Sequence, residues 1–398
     1  MSGTALAHVV TFLATPLITR LFLKESLGDW QLYISTVTLF GVVASLKYEM
    51  SIVLPKDENQ SNELAVLSLA SLLVFSLVFT LILSVWGKKV LGLLKAESLY
   101  PFLYFISLGV FVFGLWQAVQ YVFVRRKKFG VLAANKVVQV AVMHIIAVVI
   151  GFFKPSPAVL IVSQILGWTL AAAVLFFGRP VTFNVPIKRL WQSAKTYKKF
   201  PTVNTSMVFM NTLSLQLPVF MLSRFFGTDI VALYAMANRI VNIPLFMIGR
   251  SVQQVYFQSA SEAKHHGRDA LLSVYKSTVK KLALFALVPL GILLFFGPPI
   301  ARIYFGPGYQ EAGVYMQIIT FWMFFQFINS PISTTFTILD KQQIGFYLIA
   351  LSLLSRIVVM ILFHSTPRVL LAALSLSTGL FYLIYNMMIY YFIKKMEE

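Results

Sequence analysis

Long apolar runs separated by short polar connections make up most of this chain. A helix needs about 20 apolar residues to cross a bilayer. About twelve runs meet that length, over 2–23, 30–54, 64–86, 99–124, 130–153, 158–178, 203–226, 230–258, 279–297, 312–338, 344–364 and 369–393. Runs this long predict helices rather than barrel strands, which would alternate over about ten residues. The longest connection, 179–202, places Ile187, Leu190, Trp191 and Ala194 at helical spacing opposite Lys188, Lys195 and Lys199. That pattern predicts an amphipathic helix lying on the cytoplasmic surface. The expected organisation is an all-α integral membrane protein with an N-terminal six-helix lobe (1–178), an amphipathic linker (179–202) and a C-terminal six-helix lobe (203–398).

Composition agrees with the pattern. Hydrophobic residues make up 58% of the chain and charged residues 12%, against about 25% charged in a soluble domain. The absence of cysteine removes disulfides, thiol catalysis and cysteine metal sites. The histidines show no metal-ligand spacing. A formal charge of +19 reads as topology rather than nucleic-acid binding. With the N-terminus inside, nineteen Lys and Arg fall in inner connections and nine in outer ones, which predicts both termini on the cytoplasmic side. No cleavable signal peptide stands out.

The two halves read as repeats. Pro16, Arg20 and Tyr33 correspond to Pro218, Arg224 and Tyr234 at an offset of 202 at the prolines and 201 at the tyrosines, where Thr38 maps to Arg239 and Glu49 to Arg250. Six spans per half give both halves one orientation, a transporter signature with substrate held near the midplane.

The candidate chemistry lies in charges inside the apolar runs. Lys47, Lys136, Arg239, Arg250 and Arg356 are there with a single carboxylate, Glu49. A charge at mid-bilayer costs roughly 2.5–3.5 kcal/mol, so this imbalance points to a path for something anionic. Polar stripes on spans one, two, seven and eight (Thr4, His8, Thr11, Thr15 and Thr19; Gln31, Ser35, Thr38, Ser45 and Glu49; Asn204 and Asn211; Arg239, Asn242, Arg250, Gln253 and Gln254) outline a hydrated cationic cleft between the lobes. For the Ser and Thr positions, ordinary helix–helix hydrogen bonding accounts for the pattern equally well. Arg239, about ten residues into its span, is suited to grip a phosphate through two parallel hydrogen bonds. Arg250 lies nearer the cytoplasmic end, where snorkelling competes. Lys136 and Arg356 are secondary cation positions, with snorkelling favoured for Lys136 and pairing within its own lobe open to Arg356. Glu49 is a coupling group or an ion-pair partner. On a helix, Lys47 two residues away would point elsewhere, which speaks against a direct Lys47–Glu49 pair. Pro16 and Pro218 mark matching kinks in spans one and seven, as hinges or as static packing. No phosphate-cradling glycine loop, carboxylate pair or Ser-His-Asp arrangement occurs, so neither a catalytic centre, a cofactor nor a metal is expected.

The stretch TPLITRLFLKESLGDWQLYIS from Thr15, followed by LKYEMSIVLPKDENQSNELAVLSL, resembles the N-terminal region of Wzx-type polysaccharide flippases of the multidrug/oligosaccharidyl-lipid/polysaccharide exporter superfamily. Pro16, Arg20, Gly28, Tyr48, Glu49, Leu54 and Pro55 carry it, and RRKKFG (Arg125 to Gly130) resembles that family's loop after span four. The resemblance implies two six-helix lobes around a central cleft in a bacterial inner membrane. It implies movement of an undecaprenyl-diphosphate-linked oligosaccharide from the cytoplasmic to the periplasmic leaflet. Arg239, Arg250, Arg20 and Arg224 would then meet the diphosphate, and Thr38, Asn211 and Asn242 the glycan cleft. Membrane lipid and other polysaccharide-assembly membrane proteins are the implied partners. The alternatives are a drug/cation antiporter of the same superfamily, which should favour buried carboxylates, and a membrane polysaccharide polymerase, which needs long outer loops that this chain lacks.

Overall fold

The computed structural model describes residues 2–178 and 181–396. The side chains of Ser2, Thr4, residues 243–248, Arg250, Ser251, Gln342 and Phe346 lie outside the described set. The described chain is helical, with no strand assigned in it. It falls into two compact units, Met1–Ala232 and Leu233–Glu398.

Unit 1 holds α1 (Ser2–Leu21), α2 (Lys24–Gly41), α3 (Glu58–Leu93), α4 (Leu103–Arg125), α5 (Phe129–Phe153), α6 (Pro157–Phe177), α7 (Ile187–Thr196) and α8 (Thr205–Phe226). Helix α9 (Thr228–His265) starts in it, and the division falls within that helix. Unit 2 continues with α10 (Arg268–Phe305), α11 (Gln310–Ile332), the short α12 (Thr335–Ile338), α13 (Gln342–Leu362) and α14 (Pro367–Lys394). In unit 1, α5 packs against α1 and α6, α4 against α3 and α6, and α8 along α2. In unit 2, α11 packs against α10 and α14.

Local sequence sets the ends of these helices. Asp57 caps α3 by accepting Asn59 N and Gln60 N, both at 3.2 Å. Thr366 does the same for Val369 N at 3.2 Å, with Pro367 at the first helical position of α14. Gly227 ends α8 at φ 93°, a left-handed turn that lets α9 begin one residue later.

Among the described residues, eight helical segments are long and apolar enough to cross a membrane, with a shorter apolar helix at Ala5–Leu21. Several outrun the bilayer: α3 has 36 residues, about 54 Å at 1.5 Å per residue against a hydrocarbon core of about 30 Å.

The run expected as one span over 30–54 is not one helix. Helix α2 stops at Gly41, which is pressed against Phe113 of α4. Tight turns follow, with Val43 N on Phe40 O at 3.2 Å and Leu46 N on Val43 O at 2.8 Å. Leu46 and Lys47 then take left-handed backbone (φ 51° and 60°), and a 3₁₀ helix, Tyr48–Val53, completes the segment. Apolar composition ran on past the helix end, and nothing in the periodicity marked the reversal.

Several prolines fall inside helices. Helices α1 and α8 continue through Pro16 and Pro218 as single helices. The break in helical dihedrals lies at Phe296 in α10 (φ −116°, ψ 15°), just before Pro298 and Pro299. Pro298 has no N–H to give the Leu294 carbonyl four residues back. Gln317 of α11 supplies the donor instead, Nε2 to Leu294 O at 2.7 Å.

Candidate functional site

At the end of unit 1 where α2 runs into α3, Lys47 Nζ lies 2.9 Å from Glu49 Oε1. Ser45 Oγ donates to the other carboxylate oxygen at 2.6 Å. All three side chains are buried. The helical argument against a direct Lys47–Glu49 pair therefore fails, because the segment is not helical there. The left-handed Lys47 precedes the 3₁₀ turn and brings its ammonium round to Glu49. The polar face expected on span two divides accordingly. Gln31, Ser35 and Thr38 stay on α2, with Gln31 Nε2 donating to Ser35 Oγ at 3.2 Å, while Ser45 and Glu49 belong to the turn beyond it.

Arg125, at the end of α4, fastens this turn. Its guanidinium donates to the carbonyls of Ile52 (3.1 Å), Pro55 (2.6 Å), Lys56 and Asp57 (both 3.3 Å) and to Glu58 Oε1 (3.3 Å). The planar fork of arginine suits several carbonyls at once, where lysine would offer a single point charge. The RRKKFG stretch marked this region; the number of acceptors was not legible in it.

Helix α7 docks beside that turn. Ser193 Oγ donates to Glu63 Oε2 at 3.0 Å, Arg189 Nη1 is 3.5 Å from Glu63 Oε1, and Asn62 exchanges two hydrogen bonds with the Thr182 backbone at 2.7 and 2.8 Å. Ile187 and Trp191 are left bare on the opposite side, 84% and 65% exposed. A polar cleft of about 290 Å³ lies beside the helix, with Asn59, Asn62, Glu63, Arg126 and Arg189 in its wall.

Lys136 does not snorkel. Its ammonium turns inward, 3.0 Å from Gln139 Oε1 and 4.8 Å from the centre of the Trp116 ring. Trp116 in turn donates Nε1 to Asn135 Oδ1 at 2.9 Å, and Asn135 Nδ2 donates to Ala171 O at 2.8 Å. Trp116 and Asn135 carried no periodic signal of their own and were missed.

At the opposite end of unit 1, three connections meet. Asp29 is buried and accepts Ser98 Oγ at 2.7 Å together with a hydrogen bond from Thr228. Burial pushes its carboxyl above the ordinary value, and the two hydrogen bonds pull it back in part. Lys95 Nζ donates to Phe225 O at 3.0 Å, and Ser223 Oγ to Leu94 O at 2.5 Å. Gly28 sits so close to Thr228 that an added Cβ would lie 1.7 Å from its carbonyl oxygen. Arg20 and Arg224 are exposed at this end, and Arg20 Nη1 donates to Pro16 O at 3.2 Å.

The threonines of α1 bond to their own helix, Thr11 to Ala7 O (3.0 Å), Thr15 to Thr11 O (2.7 Å) and Thr19 to Pro16 O (3.2 Å). Thr38 is half-buried, Asn211 exposed and Pro218 buried.

In unit 2, Arg239 is half-buried on α9, with Tyr304 of α10 within electrostatic reach. Asn242, one turn on, donates to Asn238 O (3.0 Å) and Oδ1 (2.6 Å). The Arg250 side chain lies outside the described residues. Gln253 Nε2 donates to Ser330 O at 3.4 Å. Arg356 is buried within unit 2, where its charge is felt by Tyr234. No group of three or more potential metal ligands occurs among the described residues.

Relatives place these observations. Teichuronic acid biosynthesis protein TuaB of Bacillus subtilis (strain 168) is 20% identical over 300 residues, which cover 73% of this chain. The match spans 60% of that relative's length, less than two thirds of it. Two solved structures share the fold. An inward-facing multidrug resistance MATE family transporter of the MOP superfamily matches with TM-score 0.75 at 11% identity, covering 98% of this chain and 96% of its own. The Lipid II flippase MurJ, in an inward closed conformation, matches with TM-score 0.72 at 15% identity, covering 98% and 88%. The fold is thus that of multi-pass membrane transporters. A family model described as "Polysaccharide biosynthesis protein" matches residues 17–314, most of the length, and the chain belongs to that family.

Proposed function

We propose that this protein is a flippase that carries an undecaprenyl-diphosphate-linked oligosaccharide from the cytoplasmic to the periplasmic leaflet of a bacterial inner membrane by alternating access. The observation that carries the reading is a pairing: membership of a polysaccharide-biosynthesis family on a fold shared with a lipid-linked-precursor flippase. In this reading the chain has twelve spans in two six-helix lobes (1–178 and 203–398) joined by the linker 179–202, with both termini cytoplasmic. Arg239 is the principal diphosphate ligand, its guanidinium matched to a phosphate's paired oxygens. Arg250, and Arg20 and Arg224 near the outer surface, supply further positive charge. Thr38, Asn211 and Asn242 offer hydrogen bonds to the glycan, Lys136 and Arg356 hold secondary charge, and Pro16 and Pro218 are points of bending. Other membrane proteins of polysaccharide assembly are the expected neighbours.

A drug/cation antiporter on the same fold is the second reading. It needs a carboxylate available to a cation, and Glu49 is already held by Lys47 and Ser45. That arrangement favours Glu49 as a fastener over Glu49 as a coupling group.

Reconstitution into liposomes with a lipid-diphosphate oligosaccharide tests the proposal. Appearance of the glycan in the opposite leaflet is expected, with Arg239→Ala inserting normally and losing flux. Wild-type flux in Arg239→Ala would remove the clamp assignment. Chain elongation or efflux of cationic drugs without flipping would replace the flippase reading.

A further inference from the structure

The far end of α14 gathers lysines from three parts of unit 2 onto three consecutive rings. Lys276 of α10 and Lys394 lie 5.8 and 5.1 Å from the Tyr390 ring centre. Lys395 lies 5.9 Å from Tyr391, and Lys341, just before α13, 5.3 Å from Phe392. All four lysines are exposed. The seam beneath them is fixed, since Tyr275 OH of α10 donates to Asn386 O of α14 at 3.0 Å.

Three carboxylates of this region, among the described residues, are engaged elsewhere. Asp340 faces Lys264 at 3.3 Å, Asp269 faces Arg268 at 3.4 Å, and Glu262 accepts from Gln258 at 3.1 Å. None of these carboxylates, all among the described residues, is ion-paired with any of the four lysines.

The approach to this cluster is apolar. Leu376, Leu380, Ile384, Met387 and Tyr391 recur at helical spacing along α14, and each is more than half exposed. Helix α14 is long and apolar enough to span a membrane; in a spanning helix such a stripe would meet hydrocarbon and end in tyrosine and lysine at the level of the headgroups. Charge bias between loops requires only a number of lysines on one side. It does not require lysines from separate elements to converge on one helix end at the foot of a bare apolar stripe.

We infer that this end of α14 is a binding site for an anionic phospholipid, with an acyl chain along the stripe and the headgroup phosphate between Lys276, Lys394 and Lys395. The rings hold the ammonium groups in place without neutralising them, which leaves their charge for the lipid. The inference does not depend on the identity of the transported molecule.

The test is native mass spectrometry of the full chain titrated with phosphatidylglycerol or with phosphatidylcholine of the same acyl chains. The wild type should retain phosphatidylglycerol preferentially. Each lysine near an anionic surface is worth about fivefold, so Lys276→Gln with Lys394→Gln and Lys395→Gln should erase most of that preference. Arginine at the same three positions should keep it, which separates lost charge from lost folding. Equal retention of both lipids by the wild type, or undiminished preference in the glutamine variant, would overturn the assignment. So would displacement of phosphatidylglycerol by soluble polyglutamate, which would point to an acidic protein partner instead.

Discussion

Lys47 and Glu49 form a buried pair at 2.9 Å although only one residue separates them. Two residues apart on an α-helix they would diverge by about 200°; a left-handed residue followed by a 3₁₀ turn brings them together. Removing one partner of a buried pair leaves an uncompensated charge, at about 3–5 kcal/mol, whereas replacing both with apolar groups is often close to neutral. Glu49→Ala should therefore unfold at clearly lower temperature than Lys47→Met combined with Glu49→Leu. Thermal unfolding in detergent checks this, and a double variant no better than the single would show that the pair is not what holds the turn.

Arg125→Lys should loosen the same turn. Lysine would keep the charge at this position but could not reach the Ile52, Pro55, Lys56 and Asp57 carbonyls together. Loss of two or more of these bonds is worth about 2 kcal/mol. Faster limited proteolysis between residues 52 and 58 is the expected sign, and unchanged cleavage would count against the clamp.

Gly28→Ala should separate α2 from the start of α9. The added methyl meets backbone rather than a flexible side chain, at 1.7 Å from Thr228 O. Forced overpacking of this kind costs about 1–3 kcal/mol. A cysteine placed at Ser98 in the cysteine-free chain should then react faster with a membrane-impermeant maleimide than it does with Gly28 intact.

Asp29 supplies a pH test. Its carboxyl is raised in the folded chain, so the folded state favours the protonated form relative to the unfolded state. The associated stability is fully present below the unfolded carboxylate value, about 3.9. It is lost as pH rises through the higher folded value. Asp29→Asn should remove this component. The difference in unfolding temperature between variant and wild type should shift in the variant's favour as pH rises through that window. A pH-independent difference would show that the Ser98 and Thr228 bonds offset burial completely.

Much of this architecture was legible from residue order alone, because apolar runs of membrane length leave the backbone little choice but helix. The amphipathic α7 was readable for the same reason, although Lys195 folds back over the Trp191 ring, 5.5 Å from its centre, rather than standing opposite it. What periodicity could not register was where a run stops being helical. Gly41 to Val53 is at least as apolar as the helix before it, so the reversal that unites Lys47 with Glu49 was hidden, and a helical face was projected through it. Lys136 was misjudged for a related reason. Snorkelling assumes that water is the best available partner, and a tryptophan on α4 and a glutamine one turn along offered a closer one. Arg239 does lie within a long helix, since a lone arginine in an apolar run announces itself. The break in α10 at Phe296 was missed because Pro298 and Pro299 stand just past the apolar run over 279–297.

The Gln317–Leu294 bond gives that kink a mechanical meaning. A carbonyl orphaned by Pro298 is returned to a hydrogen-bond ladder, but the rung belongs to the neighbouring helix. Gly297 and Gly313 press the two backbones together at the same level, where a Cβ on Gly297 would lie 2.5 Å from Gly313 O. The bend is consequently joint property of α10 and α11. Straightening either helix alone would give up the Gln317–Leu294 bond, so the bend couples the two.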